Sequence, residues 1–285
     1  MIAWVDGRWV DAADGRIPID DRGFLYGDGV YDTCRLYEGR WLRFGEHARR
    51  LHASADVLRI EAPSVDRLRQ VADGLVERNP GVAHGTLRMT VTRGSGSAGA
   101  GTAGGAAPRL VVTLRPLPDD WRERARRGWS CMTASVRHPP PSVMPPALKG
   151  QGRVFSLLAA LEAEAAGCDQ ALLLSTEGHV TEGATWNVFW RRGEVVRTPA
   201  ASTGLLAGVT RTLVLELVPD AGFRPETGAW DRAELDDADE VFATMTSLGL
   251  VPLRTLDGRE LTGPRTALER LTRLYWDRVR EECHG

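Results

Sequence analysis

The feature that most limits the fold of this chain is a repeated change in the period of its apolar residues. "AWV", Asp6-Gly7 and "RWV" read as a hairpin, because an Asp-Gly pair suits a type I′ turn. "VYDTCRLYEGRWL" (30–42) reads as a second hairpin turning at Glu38-Gly39. The period then lengthens. In 45–60, Ala48, Leu51, Ala55 and Leu58 share one helical face, and in 64–79 Val65, Leu68, Val71 and Leu75 do the same, with Ser64 as N-cap. "TLRMTVTR" and "RLVVTLRPL" return to strand character, and "RPLPDD" reads as a linker. The second half gives a strand (129–136), a Pro-rich loop (139–146), a helix (153–166), the strand "QALLLS" and a hairpin over 187–199. A helix opened by Gly208, a strand and loop in "DEVFATMTSLGLVPL", and a C-terminal amphipathic helix complete it. Helices and strands alternate without a strict βαβ rhythm, which predicts an α+β fold. We divide it into a small N-terminal domain (1–115), a linker (116–120) and a larger C-terminal domain (121–285), a length that buries ample core.

Several function classes are excluded. A net charge of -2 offers no field for nucleic acid or an anionic membrane. No apolar run spans a bilayer, and "MIAWVDGRWV" is not a signal peptide, so a cytoplasmic protein is expected. Cys34, Cys131, Cys168 and Cys283 show no C-x-x-C spacing and imply neither disulfides nor zinc. "GSGSAG" (94–99) matches G-x-G-x-x-G, but more Gly and Ala follow where a dinucleotide site needs a helix. It opens a Gly/Ala/Ser loop (94–107), lacking bulky and charged side chains, that is expected to be a mobile, open wall accepting a larger or less anionic substrate. His47 and His52 are five apart, the wrong spacing for a metal-binding helix face.

Lys149, in "PPALKGQGR", is the single lysine among 36 Lys and Arg. Arginine stays protonated in a protein, whereas lysine is tuned to a neutral, nucleophilic amine that condenses with aldehydes. A chain biased so strongly toward Arg invites a chemical reason for that exception; the competing reading is a surface residue with no task.

The surrounding motifs decide between the two. "LKGQGRVFSLLAALEAEAAGCDQALLLSTEGHVTEGATWNVFWRRGEVVRTP" resembles the central block of the class IV aminotransferases, the fold-type IV enzymes of pyridoxal 5′-phosphate. "DRGFLYGDGVYDT", "EHARRLHASA", "GVTR" and "ADEVFATMTSLGLVPL" resemble its other motifs, in family order and across nearly the whole chain. The resemblance implies a two-domain, D-amino acid aminotransferase-like fold with pyridoxal 5′-phosphate as cofactor. It makes Lys149 the Schiff-base lysine and catalytic base, and Glu182 the carboxylate facing the pyridine nitrogen. Arg50, Val209, Thr210, Thr246 and Ser247 would hold the phosphate, and Tyr31 would line the substrate side. A homodimer acting on small amino and keto compounds is implied as well.

The family includes branched-chain and D-amino acid aminotransferases, amine transaminases and 4-amino-4-deoxychorismate lyase. "TRGSG", the "NVFWRRGEVV" hairpin and "TSLGLVPL" look more like the lyase, and an acidic residue frequent in transaminases is missing from "GLVPL". The lyase's usual Arg-Gly-Tyr is absent from the Gly-rich loop, as is the Arg-x-His of D-amino acid aminotransferases. Transamination is the first reading and the lyase the alternative. Arg93 and Arg153 are the unassigned cations near enough in sequence to hold a substrate carboxylate, each with a structural ion pair as its competing role.

Overall fold

The computed structural model describes residues 1–96 and 107–284, and its contacts divide the chain into two compact units. Most of the Gly/Ala/Ser loop expected to form a mobile wall, residues 97–106, lies outside the described residues.

The first unit comprises 1–117 and 147–152. Its elements are β1 (Ile2–Val5), β2 (Arg8–Asp11), α1 (Arg22–Tyr26), β3 (Gly29–Tyr37), β4 (Arg40–Leu42), α2 (Phe44–Leu58), α3 (Val65–Arg78), β5 (Gly85–Thr92) and β6 (Arg109–Pro116). The strands form one antiparallel sheet in the order β2-β1-β6-β5-β3-β4. Asp6-Gly7 and Glu38-Gly39 turn the two hairpins with both residues of each pair at positive φ, as a type I′ turn requires. Ser64 caps α3 by accepting the Arg67 N–H. Alternation along the strands sends Val30, Cys34, Leu36, Leu87, Met89 and Val91 into one core with Leu51, Ala55, Leu68 and Leu75 of the helices. Tyr31 and Arg88, out of phase with that set, belong to the opposite face.

The segment 147–152 falls in this unit, whereas the sequence reading grouped it with the residues that follow the linker. The cause is backbone pairing. Val30 and Gly150 form an antiparallel bridge, the Tyr31 N–H donates to Lys149 O at 3.0 Å, and the Gln151 N–H donates to Gly29 O at 3.0 Å. β4 reaches only Arg35 to Tyr37, so the start of β3 is an open edge that the lysine segment covers.

The second unit comprises 118–146 and 153–285. Its elements are α4 (Trp121–Arg127), β7 (Trp129–Arg137), α5 (Val154–Ala165), β8 (Gln170–Leu174), β9 (Val180–Gly183), β10 (Asn187–Arg192), β11 (Val195–Pro199), α6 (Val209–Leu217), β12 (Arg224–Gly228), β13 (Glu240–Met245), β14 (Gly249–Leu256), β15 (Arg259–Glu260) and α7 (Thr266–His284). The sheet runs β12-β11-β10-β13-β14-β7-β8-β9, and a β9–β10 pairing of Glu182 with Asn187 closes part of it on itself. β7, α5 and β8 make one parallel βαβ unit, and β11, α6 and β12 a second, inside a mixed sheet. Two readings change here. The linker 116–120 runs straight into α4, and "GLVPL" is a strand rather than a loop. Pro252 sits in β14 beside a register shift between Leu253 and Thr255, where a missing N–H is tolerated.

Leu51 is fully buried where α2 meets β3. Leu51→Ala is expected to lower stability by about 2–5 kcal/mol, read from the urea midpoint.

Candidate active site

Each unit carries its own set of the residues singled out in the sequence. In the first, Lys149 presents its Nζ 5.2 Å from the centroid of the Tyr31 ring. The guanidinium of Arg88 lies over the same ring at 3.7 Å. Arg88 was not foreseen; two residues on β5 from Thr90, the cross-strand partner of Tyr31, it shares that face. The Lys149 N–H donates to Ser54 Oγ at 3.0 Å, which joins the lysine segment to α2.

Arg50 occupies the same helix. Its Nε and Nη2 form a two-pronged contact with Asp32, at 2.7 and 2.9 Å, and His47 Nδ1 lies 2.7 Å from the same carboxylate. Burial pushes the Asp32 carboxyl up, but Arg50 and His47 outweigh it and hold the group well below the usual carboxylate range. Burial in turn pushes His47 down. His47 therefore belongs to the support of Arg50. The signal was its i,i+3 spacing from Arg50, which puts both on the face of α2 that meets β3. Arg93 is committed elsewhere. Its Nε pairs with Asp28 at 2.8 Å, and its Nη2 and Nη1 donate to Leu58 O and Arg59 O at the end of α2, at 2.7 and 3.2 Å.

In the second unit Glu182 is 3% exposed and has four polar contacts, of which those from Arg153, Asn187 and the Leu206 N–H are accepted hydrogen bonds. Arg153 Nη2 (2.8 Å) and His138 Nε2 (3.3 Å) meet Oε1; Asn187 Nδ2 (3.1 Å) and the Leu206 N–H (3.0 Å) meet Oε2. Burial pushes such a carboxyl up, yet His138 and Arg153 together hold Glu182 below its ordinary value. Arg153, considered above for substrate, thus serves this carboxylate.

α6 begins at Val209, with Gly208 extended before it and no side chain capping its first turn. The first N–H groups of such a helix have no partner within it and favour an anion. A Cβ on residue 208 would lie 2.2 Å from Asn187 Oδ1, so only glycine allows the Glu182 support and the helix start to approach this closely. Thr210, in that first turn, is buried. α6 packs on β13, whose Thr244 stands opposite Asn187 and has a buried hydroxyl with no hydrogen-bond partner. Thr246 and Ser247 follow in the half-buried turn between β13 and β14. Each unit separately holds groups of the kind a phosphorylated pyridine aldehyde binds: an amine in the first, and a buried carboxylate, an uncapped helix start and an unsatisfied hydroxyl in the second. The residues present fit pyridoxal 5′-phosphate.

Comparison with known proteins agrees in both sequence and shape. Residues 29–256 match the family described as amino-transferase class IV. A putative branched-chain-amino-acid aminotransferase of Methanocaldococcus jannaschii is 33% identical over 91% of this chain and 89% of that protein. A D-alanine aminotransferase of Bacillus licheniformis is 30% identical over 90% of this chain and 88% of its own length. The crystal structure of a branched-chain amino acid aminotransferase from T.th. with pyridoxamine 5′-phosphate superposes with a TM-score of 0.90 at 31% identity, covering 98% of this chain and 93% of that one. The fold and its side chains define a catalyst of amino-group chemistry. The chain belongs to the class IV aminotransferase family.

Glu182 has a depressed folded value, so its contribution is complete above its unfolded value near 4.5 and is lost as pH falls through the lower folded one. Arg153→Met is expected to destabilise the protein by about 1–3 kcal/mol at pH 7. The gap from the parent should narrow below pH 4.5 as Glu182 protonates, measured by urea unfolding across a pH series.

Proposed function

We propose that this chain is a pyridoxal 5′-phosphate-dependent aminotransferase that moves an amino group between an amino acid or amine and a keto acid. The observation that carries this reading is the single lysine of the sequence, with its backbone N–H and C=O both bonded within the first unit and its amine directed at Tyr31.

When bound, the cofactor supplies an aldehyde for amine exchange and a ring that withdraws electrons from the substrate's α-carbon. Lys149 would hold it through Nζ and would take the substrate's α-proton at that same atom. Glu182 would supply the negative charge for the ring nitrogen, a role that needs a carboxylate held below its ordinary value. Arg50, the first turn of α6 at Val209 and Thr210, and the Thr246-Ser247 turn would hold the phosphate. Asp32 supports this by fixing the plane of the Arg50 guanidinium. Tyr31 lines the substrate side, and Arg88, stacked on it, receives a substrate carboxylate. Arg93 and Arg153 have their own carboxylates and are left out of that role. A homodimer is the functional form we expect.

Lys149→Ala should abolish the absorbance of lysine-bound cofactor and leave no adduct after borohydride reduction. For the parent, single-turnover mixing with D- and L-alanine, glutamate, leucine and a simple amine should convert that absorbance to the pyridoxamine form with at least one donor. Conversion by none of them, together with pyruvate release from 4-amino-4-deoxychorismate, would replace this reading with the lyase. Arg88→Leu should raise KM for dicarboxylic substrates about tenfold or more, the loss of one charge-assisted contact, with a smaller effect on the simple amine.

A further inference from the structure

Lys149 carries the only side-chain amine of the sequence, so whatever fixes its backbone fixes where that amine is presented. Its C-terminal side is fastened by main-chain bonds to β3, which no side-chain change removes. Its N-terminal side is held by a side chain. Ser54 Oγ accepts the Lys149 N–H at 3.0 Å and donates to Ala147 O at 2.8 Å, so a single hydroxyl spans the two residues before the amine. Ser54 is fully buried on α2, one helical turn beyond Arg50.

The hydroxyl has a competing partner. Arg50 O, four residues earlier in the same helix, lies 2.9 Å away, the usual acceptor for a serine in a helix interior. One proton serves both acceptors, and the Lys149 N–H fills a lone pair of the oxygen. Ser54 thereby ties the lysine segment to the turn of helix that carries Arg50, whose guanidinium is in turn anchored by Asp32. This contact can be deleted without touching the sheet, the lysine or the arginine.

We propose that Ser54 is a positioning residue that sets the reach of the Lys149 amine relative to Arg50, by clasping the Lys149 N–H and the Ala147 carbonyl through one hydroxyl. This rests on the reading of Lys149 as the residue that holds the cofactor. A misplacement of about 1 Å at a reacting group costs on the order of a hundredfold in rate, so partial loosening is expected to cost about tenfold.

The test compares Ser54→Ala and Ser54→Cys with the parent. Three quantities are measured: amide hydrogen exchange at Lys149, the rate of pyridoxal 5′-phosphate capture fixed by borohydride, and the pH midpoint of the lysine-bound absorbance. For Ser54→Ala the expected result is exchange at Lys149 faster by about tenfold, capture slower by about tenfold and a displaced pH midpoint, with exchange elsewhere in α2 unchanged. Ser54→Cys, which keeps a weak donor and acceptor of similar size, should fall between the two. A folded Ser54→Ala protein with the parent's capture rate, pH midpoint and Lys149 exchange overturns the proposal. If Ser54→Ala does not fold, Ser54→Cys and the parent decide: an unprotected Lys149 amide in the parent, or parental behaviour in Ser54→Cys, overturns it. The exchange measurement needs no cofactor. A parent that yields no Lys149 adduct therefore sinks the cofactor reading, while the exchange at Lys149 still reports on the clasp.

Discussion

Burying a carboxylate is expensive unless donors surround it, and each unit of this protein holds such groups, Asp32 in the first and Glu182 in the second among them. In the first, Asp32 is fully buried on β3 and draws Arg50 and His47 of α2 onto the sheet. In the second, Glu182 on β9 collects Arg153 from the start of α5, His138 from beyond β7, Asn187 from β10 and the Leu206 N–H from the approach to α6. Four segments distant in the chain are thus held at one point by one ion. The surrounding apolar packing supplies bulk stability, while these carboxylates draw their own polar partners inward.

The two ions have different consequences. Asp32 uses a planar fork to fix another planar fork, so Arg50 has one orientation in which to meet an anion. Glu182 is ringed by donors that keep it charged, and its support extends through Asn187 to Gly208 and the start of α6. The same amide group therefore links the buried carboxylate to the approach to the uncapped helix start. The Asp32 arrangement would not survive exchange of Arg50 for Lys, since a point charge does not reproduce the two-pronged contact.

Much of the fold was legible because its signals are local. Asp6-Gly7, Glu38-Gly39 and Ser64 act within four residues of themselves, and the structure uses all three. The misread segments have weak or conflicting local signals. α4 follows a Pro-Asp-Asp run and buries only Trp121 and Ala125, too little to show a period. β14 contains Pro252, a strand breaker whose effect is absorbed by an irregular register. Asp257-Gly258 carries the same turn signal as the two hairpins that were read, and it joins β14 to the two-residue β15. In the site, Lys149 and Glu182 stood out by rarity and by motif. Their supports did not: Ser54 lies 95 residues from Lys149 and His138 lies 44 from Glu182. No sequence period encodes such distances; only the closed sheet and the bridged edge of β3 create them.

The return of residues 147–152 to the first unit has a consequence for how such a protein is inherited. Modular proteins are commonly assembled by exchanging contiguous gene segments, each encoding a unit that stands alone. Here a segment ending at residue 117 would encode a sheet whose open edge lacks its cover, and a segment beginning at 118 would carry the only lysine away from the strand that secures it. The two halves are interleaved in the gene. Recombination at their boundary separates the amine from its anchorage, so this architecture favours descent as a single indivisible piece and change by substitution in place.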